Sequence, residues 1–255
     1  MSALASSHDS LFVLRNLVEK DFKVRYRNMS LGIFWSLVNP LIMMGVLTFV
    51  FTVIIPNNKP HFWLFVLMGI LPYNFFTQAW GSGTNSIVDN AGLIKKVCFQ
   101  RELVPISVVL GNVVHYLIQF GLLLVASALV MGVNVNWLWI PVVIALQLVF
   151  VCGASLLTSS LDVYYRDMRY VVESANLVLF WLLPIFYGFA DVRADYAWIY
   201  EINPIAAVIL TMRRILLYGQ DPGFTIWKLA AVSAFTLILG AVVFRRIKQD
   251  FSDYL

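Results

Sequence analysis

Charge is scarce in this sequence. Only 13% of its 255 residues are Asp, Glu, Lys or Arg, whereas 60% are apolar, and a soluble domain carries about a quarter charged residues. Three long stretches contain no charge at all: 28–58, 60–88 and 103–161. A membrane-spanning helix needs about 20 such residues. These runs predict a polytopic membrane protein, and no stretch has the charge density of a second, water-soluble domain.

Cysteines and binding motifs are also scarce. Cys98 and Cys152 form no CxxC, metal-ligand or disulfide pattern. The chain contains no GxxxxGK[ST] phosphate loop and no HExxH or GxSxG motif. No Asp, Glu, Lys or Arg lies deep in a predicted span, where ion-coupled carriers place their ionisable groups. We therefore expect no catalytic residue, metal site or cofactor in this chain, and any active transport must be powered by a separate polypeptide.

The apolar runs that remain define the fold class. They predict an all-α membrane protein that forms a single domain over residues 1–255. The predicted spans lie at about 31–55, 62–81, 106–131, 137–161, 171–190 and 224–244. Residues 191–223 are mixed, and the apolar run within them, from Pro204 to Leu210, is too short to cross. This segment predicts a re-entrant or surface-lying helical pair.

Residues 10–27 are too charged to span a bilayer. At helical spacing, Leu14, Leu17 and Phe22 share an apolar arc while most charges share the other. The pattern predicts an amphipathic helix in the membrane interface, although an ordinary soluble helix also has it. The basic residues of this segment are Arg15, Lys20, Lys23, Arg25 and Arg27.

The positive charges also predict the topology. With six spans, both termini and two charged islands (residues 92–105 and 162–169) lie on one side, and most of the 18 Lys and Arg residues fall there. The positive-inside rule assigns that side to the cytoplasm. Membrane topology therefore explains the basic balance, and no nucleic-acid partner is indicated.

The first island combines charges with apolar residues. Its members are Leu93, Ile94, Lys95, Lys96, Phe99, Arg101 and Glu102. One charge at the bilayer centre costs about 2.5–3.5 kcal/mol, so the island must lie in water. Two interpretations remain open from the residue types: a short helix that docks on a partner, or a basic topological anchor with incidental apolar residues.

Aromatic residues make up 15% of the chain. Lipid-facing and interfacial positions account for many of them. A channel whose aromatic faces stack on sugar rings is the alternative that composition leaves open.

The order of these features resembles the membrane subunit of a type-2 ABC exporter. The branch that it most resembles exports lipid-linked polysaccharides such as O-antigen, teichoic acid and capsule chains. The resemblance extends over nearly the whole chain and rests on five stretches: KDFKVRYRNMSLGIFWSLVNPL (20–41), NAGLIKKVCFQRELVP (90–105), YYRDMRYVVE (164–173), LPIFYG (183–188) and INPIAAVILTMRRILLYG (202–219). Gln100 stands where the family often has proline, a departure that concerns only the local helix end.

The resemblance implies a role for each segment. Residues 90–102 would form the main coupling helix on a separate ATPase subunit, with residues 163–169 as a second cytoplasmic contact. The implied contact residues are Leu93, Ile94, Lys95, Lys96, Phe99, Arg101, Glu102, Tyr165, Arg166 and Asp167. Residues 10–27 would help frame a cytoplasmic gate for a lipid-linked substrate. Residues 191–218 would be a pair of external gate helices that contain Tyr196, Trp198, Pro204, Arg213 and Arg214.

The resemblance also implies an assembly. Two copies of this chain would form the pore in the bacterial cytoplasmic (inner) membrane, and two ATPase subunits would bind ATP and Mg. The aromatic residues expected to line the channel are Trp35, Tyr73, Phe76, Phe180, Trp181 and Tyr187. The rival hypotheses are an ABC exporter of a small hydrophobic compound or drug, and a membrane scaffold or lipid-processing protein that needs no ATPase.

Overall fold

A computed structural model describes residues 2–26, 34–55, 59–97, 99–189 and 192–254. All regular secondary structure in these residues is helical, which confirms the all-α prediction. The helices are α1 (Ser2–Tyr26), α2 (Trp35–Phe49), α3 (Phe62–Asp89), α4 (Ala91–Ile94), α5 (Leu103–Met131), α6 (Ile140–Asp162), α7 (Met168–Leu182), α8 (Ala197–Ile202), α9 (Pro204–Leu216), α10 (Thr225–Ile247) and α11 (Phe251–Tyr254).

Five helical segments in the described part of the chain are long and apolar enough to cross a membrane. They are Leu37–Ile54, Phe62–Asp89, Leu103–Met131, Val135–Asp162 and Thr225–Ile247. They coincide with five of the predicted spans. α3 is longer than predicted, because the uncharged polar stretch after residue 81 continues the helix to Asp89.

The predicted span over residues 171–190 requires a correction. α7 has 15 residues, which corresponds to a length of about 22 Å, whereas the hydrocarbon core is about 30 Å thick. The helix ends at Leu182 because Pro184 has no backbone N–H to continue the hydrogen-bond ladder. Residues 183–189 then follow an irregular path.

α3 is the centre of the bundle. It packs against α2, α5, α6, α7 and α9, and most of its residues are buried. Between apolar helices in lipid there is no hydrophobic driving force, so interhelical polar contacts contribute to specificity. The Gln147 amide of α6 donates to the Pro72 carbonyl of α3 at 2.7 Å and accepts from the Tyr116 hydroxyl of α5 at 3.2 Å. The hydroxyls of Thr84 and Thr158 lie 2.6 Å apart.

Glycines bring α6 and α10 into direct backbone contact. A Cβ atom at Gly153 would lie 2.5 Å from the backbone nitrogen of Leu237, and one at Gly240 would overlap the Gly153 carbonyl. Gly153, Ala154 and Ser155 predict a packing surface in the sequence. Gly153 faces α10, and Ser155 faces Gly83 of α3.

A substitution tests this contact. We expect Gly153→Ala to destabilise the protein by about 1–3 kcal/mol, because the added methyl group forces α6 and α10 apart. Thermal unfolding in detergent micelles would show the loss. Gly121→Ala in α5 is the matched control, since no atom lies within 4 Å of a Cβ at that glycine. Equal unfolding temperatures for the two variants would contradict the close contact.

The first end of the bundle, which we call the charged end, collects α1, both charged islands and the residues after α10. The Lys20 ammonium of α1 donates to Asn90 at 2.5 Å, and Arg101 donates to the Lys248 carbonyl at 2.6 Å. The Tyr164 hydroxyl donates to the Ile247 carbonyl at 3.0 Å. These contacts place segments from four regions of the sequence on one surface.

The opposite end collects the turn between α5 and α6 and the segment between α9 and α10. Asn134 donates to the Ile215 carbonyl at 3.1 Å, and Asn136 donates to the Gly219 carbonyl at 2.7 Å. α8 and α9 lie near this end, and neither is long enough to cross a membrane. The predicted helical pair in residues 191–223 is therefore present.

Candidate functional site

An apolar cluster, separate from the main core, lies at the charged end. Its buried members are Leu17, Ile87, Ile94, Val104, Leu156, Val163, Phe244 and Phe251. They come from α1, α3, α4, α5, α6 and α10 and from the residues that follow them. Through this cluster, both islands contact the long helices of the bundle.

The first island is less helical than predicted. The predicted coupling helix over residues 90–102 is wrong in extent, because α4 covers only Ala91–Ile94, and the described residues between it and α5 are not helical. A separate helix, α5, begins at Leu103. The helical hydrogen-bond pattern does not continue from the island into α5, since Pro105 has no N–H to donate to the carbonyl of Arg101.

Five of the predicted coupling residues of the first island divide into two groups. Ile94 is buried in the charged-end cluster, and Leu93 and Phe99 pack against it. Lys95 and Lys96 form the second group and are exposed, as is the neighbouring Val97, which was not among the predicted contacts. The first group therefore anchors the island to its own chain, whereas the second, together with Val97, presents two ammonium groups and an apolar side chain to the surroundings.

The end of the chain holds the first island in place. The Glu102 carboxylate forms two ion pairs with this part of the chain. Its oxygen lies 2.6 Å from the Lys248 ammonium and 3.9 Å from the Arg245 guanidinium. The Arg101 guanidinium donates to the Lys248 carbonyl and lies 6.0 Å from the ring centre of Phe251. We call residues 248–254 the C-terminal clamp.

The second island is held by the same clamp. Besides its hydrogen bond to the Ile247 carbonyl, Tyr164 places its ring 4.6 Å from that of Tyr254 and 6.3 Å from that of Phe251. The residues predicted to contact the ATPase, Tyr165, Arg166 and Asp167, are exposed beside it. Sequence reasoning missed the clamp, because a single Phe and a single Tyr after a basic stretch carry no periodic signal.

α1 packs along α5 at this end. Leu17 is buried, and the ring of Phe22 stacks on His115 of α5 at 5.7 Å. The hydrogen-bonded ammonium of Lys23 lowers the pKa of Glu19 on the exposed side of the helix. Arg15 and Lys20 are exposed there too. Arg27 lies outside the described residues, as does the side chain of Arg25.

The predicted channel aromatics occupy three kinds of environment. Trp35 and Trp181 are exposed, and Phe180 and Tyr187 are half-buried. Tyr73 and Phe76 are buried inside the bundle of one chain: the Tyr73 hydroxyl donates to the Asn176 carbonyl, and the Phe76 ring stacks on Trp80 and Phe150.

The second helix of the pair near the opposite end, α9, begins with a well-formed cap. The Asn203 side chain accepts from the backbone nitrogens of Ile205 at 2.9 Å and Ala206 at 3.3 Å, and Pro204 occupies the first position of α9. The predicted gate residues Tyr196 and Trp198 are exposed. The cap fixes where α8 ends and α9 starts.

Arg213 of α9 is buried, with 2% of its surface exposed. Its guanidinium donates to the carbonyls of Pro184 and Ile185 at 2.6 Å, to Phe65 at 3.1 Å and, more weakly, to Tyr187 at 3.4 Å. It also lies over the Phe65 ring, 3.4 Å from its centre. The sequence interpretation assigned Arg213 to a gate, and the structure shows it at the centre of a hydrogen-bond network.

This network provides hydrogen-bond donors for the carbonyl groups of the irregular backbone after α7. Carbonyl groups without partners cost several kcal/mol in hydrocarbon, so irregular backbone persists there only when protein groups bind it. The segment also packs tightly on α3, where a Cβ at Gly69 would lie 3.0 Å from the Cα of Ile185. Arg213 and Gly69 together allow α7 to end early.

A conservative substitution tests the role of Arg213. Lys carries its donors on one nitrogen and cannot reach carbonyls on both sides as the guanidinium fork does. We expect Arg213→Lys to lower the stability by on the order of 3 kcal/mol, since two charged hydrogen bonds are lost. Thermal unfolding in detergent measures this. Arg214→Lys is the control, because Arg214 is exposed; equal losses in both variants would contradict the assignment.

Together these features define a class of protein: a helical membrane subunit with a structured, charged platform at one end. Within the described residues no group of His, Cys, Asp or Glu could hold a metal ion. Residues 13–209 match the ABC-2 type transporter family. The chain belongs to that family.

The relatives of the chain align with it over nearly their full length. The O-antigen export system permease protein RfbA of Klebsiella pneumoniae is 30% identical over 251 residues, which cover 97% of this chain and 95% of the relative. The RfbA protein of Myxococcus xanthus is 28% identical over 246 residues, 94% of each chain. The polysialic acid transport protein KpsM of Escherichia coli is 21% identical over 236 residues, which cover 89% of this chain and 90% of the relative.

Proposed function

We propose that this chain is the transmembrane subunit of an ATP-driven exporter of lipid-linked polysaccharide in the bacterial inner membrane. The observation that carries the proposal is the alignment with O-antigen export permeases over 97% of the chain. Two copies form the pore, and two separate ATPase subunits bind ATP and Mg. This chain contributes no catalytic group of its own.

The contacts at the two ends of the bundle support six passes. Residues 164 and 184–187 contact opposite ends, so the chain must travel between them through α7 and the irregular segment. The fifth pass is then a broken helix that Arg213 completes. The charged end, which holds most of the basic residues, faces the cytoplasm by the positive-inside rule, and α8 and α9 face outward as gate helices.

The charged end couples ATP hydrolysis to transport. Lys95–Val97 and Tyr165–Asp167 are exposed, and they form the surface on which the ATPase docks. Both islands contact the clamp, the first through Arg101 and Glu102 and the second through Tyr164. Movement of the first island passes through Ile94 into the charged-end cluster and through Glu102 into Lys248. The clamp carries it to α10, which shares backbone contact with α6.

α1 frames the cytoplasmic gate for the substrate. A cavity of about 360 Å³ lies between α1, α3 and α5, lined by Lys20, Asp21, Ser86 and His115 among others. Its lining is polar and mixed in charge, because the ammonium group of Lys20 lies near the carboxylates of Asp21 and Asp89. Lys20 is the group that an anionic headgroup entering from the interface would contact. Trp35 and Trp181 are exposed in a single copy of the chain. A sugar ring or a second copy of the chain can therefore contact these two channel aromatics without any movement of the helices.

Charge reversal tests the docking surface. We expect the double variant Lys95→Glu/Lys96→Glu to lose the ATPase subunit when the complex is purified through a tag on this chain, because like charges replace the exposed ammonium groups. The amount of ATPase that co-purifies with the double variant should be below about a tenth of the amount that co-purifies with the wild type.

The control for this experiment is Arg193→Glu/Lys228→Glu, which makes the same change in charge at the opposite end. It should retain the ATPase in full. Undiminished ATPase on the Lys95→Glu/Lys96→Glu variant would contradict the docking surface, and absence of any ATPase from the wild-type preparation would contradict the exporter assignment.

Substitution in the clamp tests the coupling route. We expect Phe251→Ala to leave the ATPase bound and hydrolysing ATP, while polysaccharide export falls at least fivefold, since the islands lose their link to α10. Export is measured as glycan at the cell surface of a strain that lacks its own permease. Trp227→Ala, an exposed aromatic on the opposite part of α10, is the control and should export normally. A parallel loss of ATPase binding would show that the clamp only supports the fold.

Substrate class is tested with the reconstituted complex in nanodiscs. Lipid-linked glycan should stimulate ATP hydrolysis, whereas small hydrophobic amphiphiles should not. Stimulation by the amphiphiles alone would instead assign the chain to exporters of small hydrophobic compounds.

A further inference from the structure

A pocket of about 460 Å³ opens at the end opposite the charged end, between the chain before α3, helix α9 and the start of α10. Lys59, Arg214 and Lys228 bring positive charge to its lining, and Tyr218 and Phe224 bring aromatic surface. Among the described residues that line it, none is acidic. The pocket is distinct from the charged end and from the cavity beside α1.

Two adjacent arginines contribute to this pocket in different ways. Arg213 forms part of the wall, but its donors are engaged with backbone carbonyls. The Arg214 side chain is exposed, and it forms no hydrogen bond or ion pair with the described residues. Its guanidinium folds over Gly223, where a Cβ would lie 3.4 Å from both terminal nitrogens and where the backbone φ is +65°. The chain thus holds a guanidinium at the mouth of the pocket with its hydrogen-bonding edge unused.

The position of the pocket indicates the type of ligand. Lys59 precedes α3 and Lys228 lies in the first turn of α10, so the charges lie where two spans meet water. Tyr218 and Phe224 are exposed at this level, as interfacial aromatics are. Below them, α10 presents the exposed apolar side chains of Phe235 and Ile238. A ligand with an anionic head and a hydrocarbon tail fits this arrangement.

We infer that this pocket binds the anionic phosphate headgroup of a membrane lipid, with the lipid tail along α10. Guanidinium and ammonium groups are the side chains that bind phosphate in proteins. The headgroup belongs to a glycerophospholipid or to a polyprenyl phosphate of the kind that carries glycans. That this end faces the outer leaflet rests on the orientation proposed above, whereas binding itself does not.

The test measures lipid binding to the purified chain alone, by native mass spectrometry from detergent micelles. The probes are phosphatidylglycerol, phosphatidylcholine and a polyprenyl phosphate. We expect the wild type to bind both anionic lipids more tightly than phosphatidylcholine. We expect the double variant Arg214→Gln/Lys228→Gln to bind the two anionic lipids about tenfold more weakly than the wild type does, since each basic group near a membrane surface contributes to anionic-lipid binding. Arg193→Gln, exposed in the same external segment but outside the lining, should bind like the wild type.

Equal affinity for phosphatidylglycerol and phosphatidylcholine would overturn the inference, and so would unchanged binding by the double variant. A preference for polyprenyl phosphate over phosphatidylglycerol supports the site and assigns it to the glycan carrier. Equal binding of the two supports the site and assigns it to ordinary anionic lipid. Because ATPase and glycan are absent from the assay, a negative result leaves the proposed export function untouched, and a failed export assay leaves this site untouched.

Discussion

The hydrogen bonds from Arg213 to the carbonyls of Phe65, Pro184, Ile185 and Tyr187 allow the irregular backbone after α7 to lie buried among apolar side chains. Proline ends α7, and irregular backbone must find partners within the protein when water is excluded. A guanidinium supplies several donors in one plane, which matches carbonyls that converge from two segments. The central helix α3, the segment after α7 and α9 are thereby joined at one point.

The charged end depends on a different balance of forces. Here apolar side chains from α1, both islands and the C-terminal clamp form a small cluster, and ion pairs surround it. Exposed charges remain on the side away from the bundle, at Lys95, Lys96 and Arg166. The surface is therefore apolar and closely packed where it joins the helices, and it is charged where a partner would meet it.

Sequence patterns predicted the all-α class, the family and six spans, of which five coincide with helical segments long enough to cross a membrane. Long uncharged runs and ordered motifs can be recognised without knowledge of tertiary contacts. They did not predict that α7 ends at Leu182, since an apolar run does not reveal how Pro184 and a distant arginine share backbone bonds. The resemblance placed Arg213 and Arg214 together in an external gate, and the sequence could not show that Arg213 is buried whereas Arg214 is exposed. Residue types could not show that Tyr73 and Phe76 lie inside the bundle, since apolar aromatics suit a core, a lipid face and a channel equally.

The Arg213 network has a consequence for the order in which the chain assembles during synthesis. Phe65 and residues 184–187 leave the ribosome before Arg213, so their carbonyls have no guanidinium to bind while α7 is being inserted. The irregular segment can settle against α3 only after α9 has been made. Completion of this end is therefore a late event, and a nascent chain that stalled before α9 would leave the carbonyl groups of residues 184–187 without the guanidinium group that binds them.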